Sequence, residues 1–328
     1  MESKSEDTGK MCFQKIMENK KILVLGGTRF IGESFTQTII KSGYDVYLTS
    51  RKVNNSVDPK KQENIEREEI QNGKIFTNSF DCIFDFNGYK PDQIFEFKLK
   101  NENSKYVFIS SDWIGREPLL NPTTVESSVV GKLDPISYEY TLNKTACENK
   151  VKKIFTEQAV IARIPIIIGK KDPHQRLQYM IKRMLKNKKI YVPTINDNEI
   201  QFSFAKDIVK TLKSFVDYKS NSTKDINFQK LRYVSYIEIM DEIRLAIQSD
   251  NTFIHLSESE YLKEFPLTAS ADPFWREKYS NESANISTKS NTYRTKLSEI
   301  ISDCSPQSNL HQKYKDAIEE ENAYAFPR

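Results

Sequence analysis

Histidine and cysteine are scarce in this chain: three histidines in 328 residues, and four cysteines, Cys12, Cys82, Cys147 and Cys304, far apart and without CxxC spacing. A zinc cage needs clustered imidazole and thiolate donors, so no metal site is expected, and the thiols should be free. Long apolar runs are missing too. No window approaches the ~18 apolar residues that span a bilayer, and residues 1–18 hold no apolar core of signal-peptide length. A cytoplasmic protein without a membrane partner is therefore expected. Excess charge of one sign is also absent. Forty-nine Lys and Arg against 45 Asp and Glu leave a net +4, so nothing in the overall balance demands nucleic acid. No repeat of solenoid period and no low-complexity linker emerges. What remains is a soluble globular chain, long enough for one large α/β domain or one and a half.

The most informative stretch is Lys21 to Lys52, KILVLGGTRFIGESFTQTIIKSGYDVYLTSRK. Ile22 to Leu25 suits a buried parallel strand, and Gly26-Gly27 breaks it into a turn. A helix is expected from about Phe30 to Ser42, Gly43 closes it, and Asp45 to Thr49 gives a second strand. This is the order of a βαβ nucleotide-binding unit, in which a diphosphate sits over the helix N-terminus and Gly26 lets the backbone approach it. The glycine spacing is incomplete because Arg29 stands where a third glycine would complete GxxGxxG. After the second strand come Ser50, Arg51 and Lys52, with no Asp or Glu to hold a ribose 2′-hydroxyl. NADP(H) is favoured over NAD(H), which stays possible, with Arg51 as the phosphate partner and Arg29 as a second candidate.

Further strands are expected at Lys74 to Phe76, Asp81 to Phe86 and Tyr106 to Ile109, with a helix over residues 91–103 between the last two. Asn87-Gly88 and Ser110-Ser111-Asp112 then fall at strand carboxyl ends, where a doubly wound sheet binds its ligand. A long polar connection, about Arg116 to Ser137, leads into a helix carrying Tyr140 and Lys144. Four residues apart, they share a helix face, and an ammonium one turn away would lower the pKa of a tyrosine hydroxyl from its usual ~10. Such a pair is a general acid/base, and equally a common surface pair when it occurs alone.

In the order LGGTRFIG, YVFISSDWIG, YTLNK, AVIARIPIIIGKKDP and QFSFAKDIVKTL, these segments resemble the NAD-dependent epimerase/dehydratase family, an extended branch of the short-chain dehydrogenases/reductases. The resemblance covers about Lys21 to Ile247 and includes Arg163, Pro165, Gly169, Asp172 and Asp207. It implies a Rossmann-type doubly wound parallel sheet (19–168) after an N-terminal extension (1–18). Residues 169–328 would form mainly a smaller C-terminal substrate-binding lobe, with late segments returning to the sheet. It also implies that Tyr140 is the general acid/base, that Lys144 lowers its pKa and binds the nicotinamide ribose, and that Ser111, with Ser110 as neighbour, holds the substrate oxygen. Gly26, Thr28, Arg29, Phe30 and Ile31 would line the cofactor loop. Ser50, Arg51, Lys52, Asn87, Ile164, Pro165 and Ile166 would complete the cofactor site. Asp112 occupies the position of a dehydratase general acid, but Trp113 follows it where Glu is common.

The expected reaction is hydride transfer between nicotinamide and a carbonyl or carbinol carbon of a polar small molecule, with a reductase slightly favoured. A nucleotide-sugar epimerase or dehydratase that retains NAD is the alternative. The stretch after Gly169 offers Lys170, Lys171, His174, Arg176 and Arg183 beside Tyr179 and Tyr191. These could receive an anionic substrate such as a nucleotide sugar, a carboxylate or a carrier-bound acyl group, or form an ordinary lysine-rich helix face. A non-catalytic Rossmann-like RNA- or ligand-binding protein is the reading from another class, since relatives in a chloroplast RNA-binding branch share the GGTRFIG loop. Nucleic acid is not expected, because the lysines form no continuous stripe. A homodimer is left open. Residues 250–328 fit the family poorly.

Overall fold

The computed structural model describes residues 20–63, 79–112, 114, 135–194, 199–218, 223–227, 232–272 and 310–325. The strand expected at Lys74 to Phe76, Trp113 and nearly all of the connection after Arg116 lie outside these residues. Two compact units divide the chain, one within Met1–Pro165 and Ala205–Phe228, the other within Ile166–Phe204 and Gln229–Arg328. In chain order the first contains β1 (Lys21–Leu25), α1 (Phe30–Lys41), β2 (Asp45–Thr49), β3 (Gln62–Glu63), β4 (Cys82–Asp85), β5 (Lys105–Ser111), α2 (Pro135–Phe155) and β6 (Ala159–Ile164). The second unit begins with β7 (Ile166–Ile168), α3 (Arg176–Lys186), β8 (Lys189–Pro193) and β9 (Glu199–Phe204). The chain returns to the first for α4 (Ala205–Ser214) and β10 (Lys224–Asn227). It ends in the second with β11 (Arg232–Ser235), α5 (Tyr236–Ala246), β12 (Thr252–Leu256), α6 (Glu258–Glu264), α7 (Pro266–Ala271) and α8 (Gln312–Ala325). No described helix is long and apolar enough to cross a membrane.

The first unit is a seven-stranded parallel sheet in the order β10-β6-β5-β4-β1-β2-β3. The chain winds outward from β1 to β3 and then resumes at β4 on the other side of β1, which makes the β1/β4 boundary the topological switch point. Register aligns the strand ends, pairing Leu25 with both Thr49 and Asp85, Asp85 with Phe108, and Ser111 with Ile164. Alternate residues of β1 face opposite layers. Leu23 and Leu25 join the cluster of Tyr106, Phe108, Cys147, Val151 and Phe155, while Phe35 of α1 packs on Phe84 with ring centroids 4.4 Å apart. Helix α1 packs this closely because Gly32 has no side chain: a Cβ there would stand 2.6 Å from the Gly26 carbonyl oxygen.

One expectation is corrected. Residues 91–103 do not form a helix; a single 3₁₀ turn, Pro91–Gln93, is followed by extended chain in which Leu99 bridges Phe80. Phe95, Phe97 and Leu99 alternate with Glu96, Lys98 and Lys100, a period of two that presents one apolar edge only when the chain is extended. Strand β5 also runs further than expected, so Ser110 and Ser111 belong to it rather than following it.

The second unit has a three-stranded sheet, β11-β9-β7, and a parallel pair, β12-β8. Its core contains a fully buried arginine. Arg183 donates to Glu321 at 2.9 and 2.8 Å, to the Tyr191 carbonyl at 2.6 Å, and lies 3.4 Å from Asp272. Glu321 accepts further bonds from the Asn187 amide and the Tyr191 N–H, and Tyr236 donates its hydroxyl to Asp272. Through Glu321, α8 is fastened to α3 and β8. Removing the cation would leave two carboxylates buried without it, so Arg183→Met should lower unfolding free energy by about 3–5 kcal/mol. Urea denaturation checks this, with the partly exposed Arg176→Met as the control expected to cost much less.

Candidate active site

Helix α2 places a polar pair on a buried stripe. Tyr140, Lys144, Cys147, Val151 and Phe155 follow one another at helical spacing, and the last three belong to the core beneath the sheet. Lys144 therefore lies inside, 3% exposed, and its ammonium donates to the carbonyls of Gly88 and Ile109, each at 2.9 Å. A surface pair would leave the ammonium in water. Tyr140 is hydrogen-bonded to Ser111, the last residue of β5. Burial pushes its hydroxyl well above the usual tyrosine range, and Tyr89 adds to the rise, while the Ser111 bond acts the other way. The lowering influence in this structure is thus Ser111. The Lys144 ammonium is directed at two carbonyl dipoles, 6.0 Å from the centre of the Tyr140 ring.

The turn that presents the Gly88 carbonyl is held by a residue outside the motifs read from the sequence. Asp85, fully buried at the end of β4, accepts from the N–H groups of Asn87 (3.1 Å) and Gly88 (3.0 Å) and from the Tyr106 hydroxyl (2.5 Å). Gly88 has no room for a side chain, since a Cβ would meet Ile94 and Phe108 at 2.8 Å and Asp85 at 2.9 Å. The only available signal was the DFNG tetrapeptide, an acidic residue two and three positions before the amides it accepts from. Arg163 plays a similar positioning part. Its guanidinium forms two bonds to Glu148, at 2.9 and 2.5 Å, tying α2 to β6.

The expected cofactor loop lies at the switch point. Gly26 turns with φ of 85°, and its N–H donates to the Thr49 carbonyl at 2.9 Å. Asn87 packs against it so closely that a Cβ on Gly26 would come within 2.9 Å. Thr28 lies in the turn. Arg29 is the exposed N-cap residue of α1 and forms no side-chain cap, and Phe30 follows with a left-handed φ of 44°. A bulky residue there is strained by about 1–2 kcal/mol. Ile31 is buried. This uncapped helix end, beside a glycine turn, suits an anion such as a diphosphate. Ser50 is buried and donates to the Lys52 carbonyl at 2.5 Å, whereas Arg51 and Lys52 are exposed. Burial raises the pKa of the Tyr89 hydroxyl and Asp85 adds to the rise, while Arg29 and Arg51 act the other way.

Asp112 follows Ser111 and donates its N–H to the Ile164 carbonyl at 3.0 Å. Ile164 and Pro165 close the first unit, and Ile166 opens β7 of the second. Ser110 is buried in β5, with no hydrogen-bond partner for its hydroxyl among the described residues. Asp207 is buried in the first turn of α4. The basic stretch after Gly169 is not one receptive face. Arg183, Tyr179 and Tyr191 belong to the core of the second unit, and Arg176 is paired with Asp172 at 2.9 Å. Asp172 also accepts from the His174 and Arg176 N–H groups, which makes it the structural start of α3. Lys170 and Lys171 remain exposed. The reason is periodicity: Tyr179 and Arg183 share the inner face of α3, and a long guanidinium can be buried when carboxylates meet it.

The model of the NAD dependent epimerase/dehydratase family matches residues 83–228. No curated protein matches the sequence. Among solved structures, UDP-glucuronic acid 4-epimerase from Bacillus cereus in complex with NAD is 17% identical with a TM-score of 0.53, over 79% of this chain and 97% of that one. UDP-N-acetylglucosamine 4-epimerase from Bacillus cereus is 14% identical with a TM-score of 0.52, over 80% and 98%. The NAD dependent NDP-hexosamine 5,6-dehydratase TunA is 15% identical with a TM-score of 0.50, over 73% and 84%. Identities this low speak for the fold, and the fold agrees with the family match, the parallel sheet and its switch point. Residues 83–228 are thus similar in sequence to the NAD dependent epimerase/dehydratase family, and the fold is that of the epimerase structures.

Proposed function

We propose that this protein is an epimerase of a nucleoside-diphosphate sugar that retains its nicotinamide dinucleotide between half-reactions. The convergence of Ser111, Tyr140 and Lys144 at the carboxyl edge of the parallel sheet carries the reading. The family match and the sugar-nucleotide epimerases among the similar folds favour this over a reductase that releases its cofactor. A dehydratase is less well supported because Trp113, not Glu, follows Asp112.

When bound, the nicotinamide would take hydride from a carbinol carbon and return it to the same carbon. Gly26, Thr28, Phe30, Ile31 and the N-terminal end of α1 would hold its diphosphate, with Asn87 beside them. Arg51 and Lys52 would face the adenosine ribose, where they tolerate a 2′-phosphate as well as a free hydroxyl. Tyr140 would take the proton from the substrate hydroxyl as the carbonyl forms and give it back when hydride returns, and Ser111 would fix the same oxygen. A phenol whose proton is held this firmly is a poor base alone. The substrate oxygen and the cationic surroundings of the loaded site must bring its pKa down. Lys144, anchored on Gly88 and Ile109, keeps α2 in register with the ends of β4 and β5.

Denaturing the purified protein and identifying the released nucleotide is the direct test. Stoichiometric NAD or NADP is expected, and its identity decides which dinucleotide the Arg51 edge accepts; a protein that carries none and binds neither in titration would end the enzyme reading. With a panel of uridine and thymidine diphosphate sugars, NMR of the sugar ring should show inversion at one carbon without net oxidation. Tyr140→Phe should lower that rate by about 10²–10⁴-fold while the nucleotide stays bound, and full activity in this variant would remove Tyr140 from the chemistry. Lys144→Met should lower both rate and nucleotide retention, because the carbonyls of Gly88 and Ile109 lose their donor.

A further inference from the structure

Three rings stand around the Lys144 ammonium. Its Nζ is 4.7 Å from the centre of Phe108, 4.9 Å from Tyr89 and 6.0 Å from Tyr140. Aromatic faces attract a cation most strongly where water is excluded, and together with the Gly88 and Ile109 carbonyls they replace the hydration that a buried ammonium gives up. Phe108 is core and Tyr140 is the proton-transfer candidate. Tyr89 differs from both, standing 51% exposed on the turn after β4 with its ring centre 6.4 Å from that of Tyr140. That turn is fixed on both sides. Asp85 accepts the N–H groups of Asn87 and Gly88, and the Tyr89 N–H donates to the Gln93 side chain at 2.9 Å. An exposed aromatic ring on a fixed turn, facing a buried cation, is placed by the backbone rather than by packing.

We propose that Tyr89 is a positioning residue of this site: with Phe108 it closes an aromatic box over the Lys144 ammonium and shields the Tyr140 hydroxyl from water. Its effect on the reaction rests on the reading of Tyr140 as the proton-transfer group. The box itself does not. The groups facing Tyr140 are Tyr89 from the turn after β4, Ser111 and Asp112 from the end of β5, and Lys144 and Cys147 from its own helix. Burial is the largest influence on its proton and raises the pKa, and Tyr89 raises it further. Opening the box therefore moves the Tyr140 titration toward lower pH.

The test uses the full chain, freed of any bound nucleotide, with carbon-13 labels at tyrosine Cζ and lysine Cε, the two resonances being assigned with Tyr140→Phe and Lys144→Met. In the wild type the Lys144 signal should be displaced by ring currents from the exposed lysines, and Tyr140 should stay protonated beyond the range of the exposed tyrosines. Tyr89→Phe, which keeps the ring, should preserve both signatures. Tyr89→Ala should move Lys144 toward the exposed lysines and lower the Tyr140 midpoint by about one pH unit. Tyr89→Leu, which keeps apolar cover without a ring, should move Lys144 while leaving Tyr140 close to the wild type, and it supplies the reading if the alanine variant does not fold. Unmoved Lys144 signals in Tyr89→Ala or Tyr89→Leu, or equal shifts in Tyr89→Phe, would overturn the box. Adding NAD or NADP back to the nucleotide-free wild-type sample separates this from the functional reading. If neither Tyr140 nor Lys144 responds to NAD or NADP while the variants behave as expected, the box stands and the epimerase reading fails.

Discussion

An ammonium inside a protein must be given back the contacts it loses from water, and the Lys144 ammonium sets that requirement at the centre of the first unit. Left without partners it would cost several kcal/mol. Here it is met by two carbonyls and by aromatic faces. Each partner in turn fixes a piece of chain. The Gly88 carbonyl comes from the turn after β4, the Ile109 carbonyl from β5, and the lysine itself from α2. One side chain therefore ties together three elements whose ends carry Asn87, Ser111 and Tyr140. Asp85 matters for the same reason at one remove, since it holds the amides of the turn that presents the Gly88 carbonyl.

Parallel register supplies the rest of the geometry. Because β1, β2, β4, β5 and β6 are aligned neighbours, residues that are up to about 140 positions apart in sequence come out on one edge. The strand order reverses between β1 and β4, where a doubly wound sheet leaves a crevice outside its strand ends. Into it open the Gly26 turn and the uncapped end of α1. The absence of side chains at Gly26, Gly32 and Gly88 makes this possible, as each lies where a Cβ would meet a neighbour at 2.9 Å or less. Arg29 in place of a further glycine is accommodated because its backbone is extended and its side chain exposed.

The second unit is organised by a different polar group. Arg183 is shared by Glu321, Asp272 and the Tyr191 carbonyl, so residues from α3, β8, the chain after α7, and α8 meet at one guanidinium. Stacked rings surround it, Tyr179 on Tyr314 at 4.5 Å and Tyr191 on Phe265 at 4.6 Å. Charge that reads in sequence as a basic patch is internal here, matched by acids more than 80 residues away along the chain.

The local elements were legible from residue order alone: the β1-α1-β2 unit, β4, β5, and α2 with its Tyr140–Lys144 spacing all follow from apolar periodicity and glycine breaks, which act over a few residues. Over 91–103 the crossover helix usual between parallel strands is absent, and the alternation of Phe95, Phe97 and Leu99 goes with a bridge from Leu99 to Phe80 instead. What the sequence could not determine was which polar groups would be inside. Tyr140 and Lys144 have the same spacing whether a helix turns them to water or to a sheet, and Arg183 has the same residue type whether it meets a substrate or Glu321. Burial depends on which distant strands and helices pack against a given face, so only the tertiary structure decided that Lys144 would be held by Gly88 and Ile109, that Tyr89 would cover it, and that Arg183 would belong to the core.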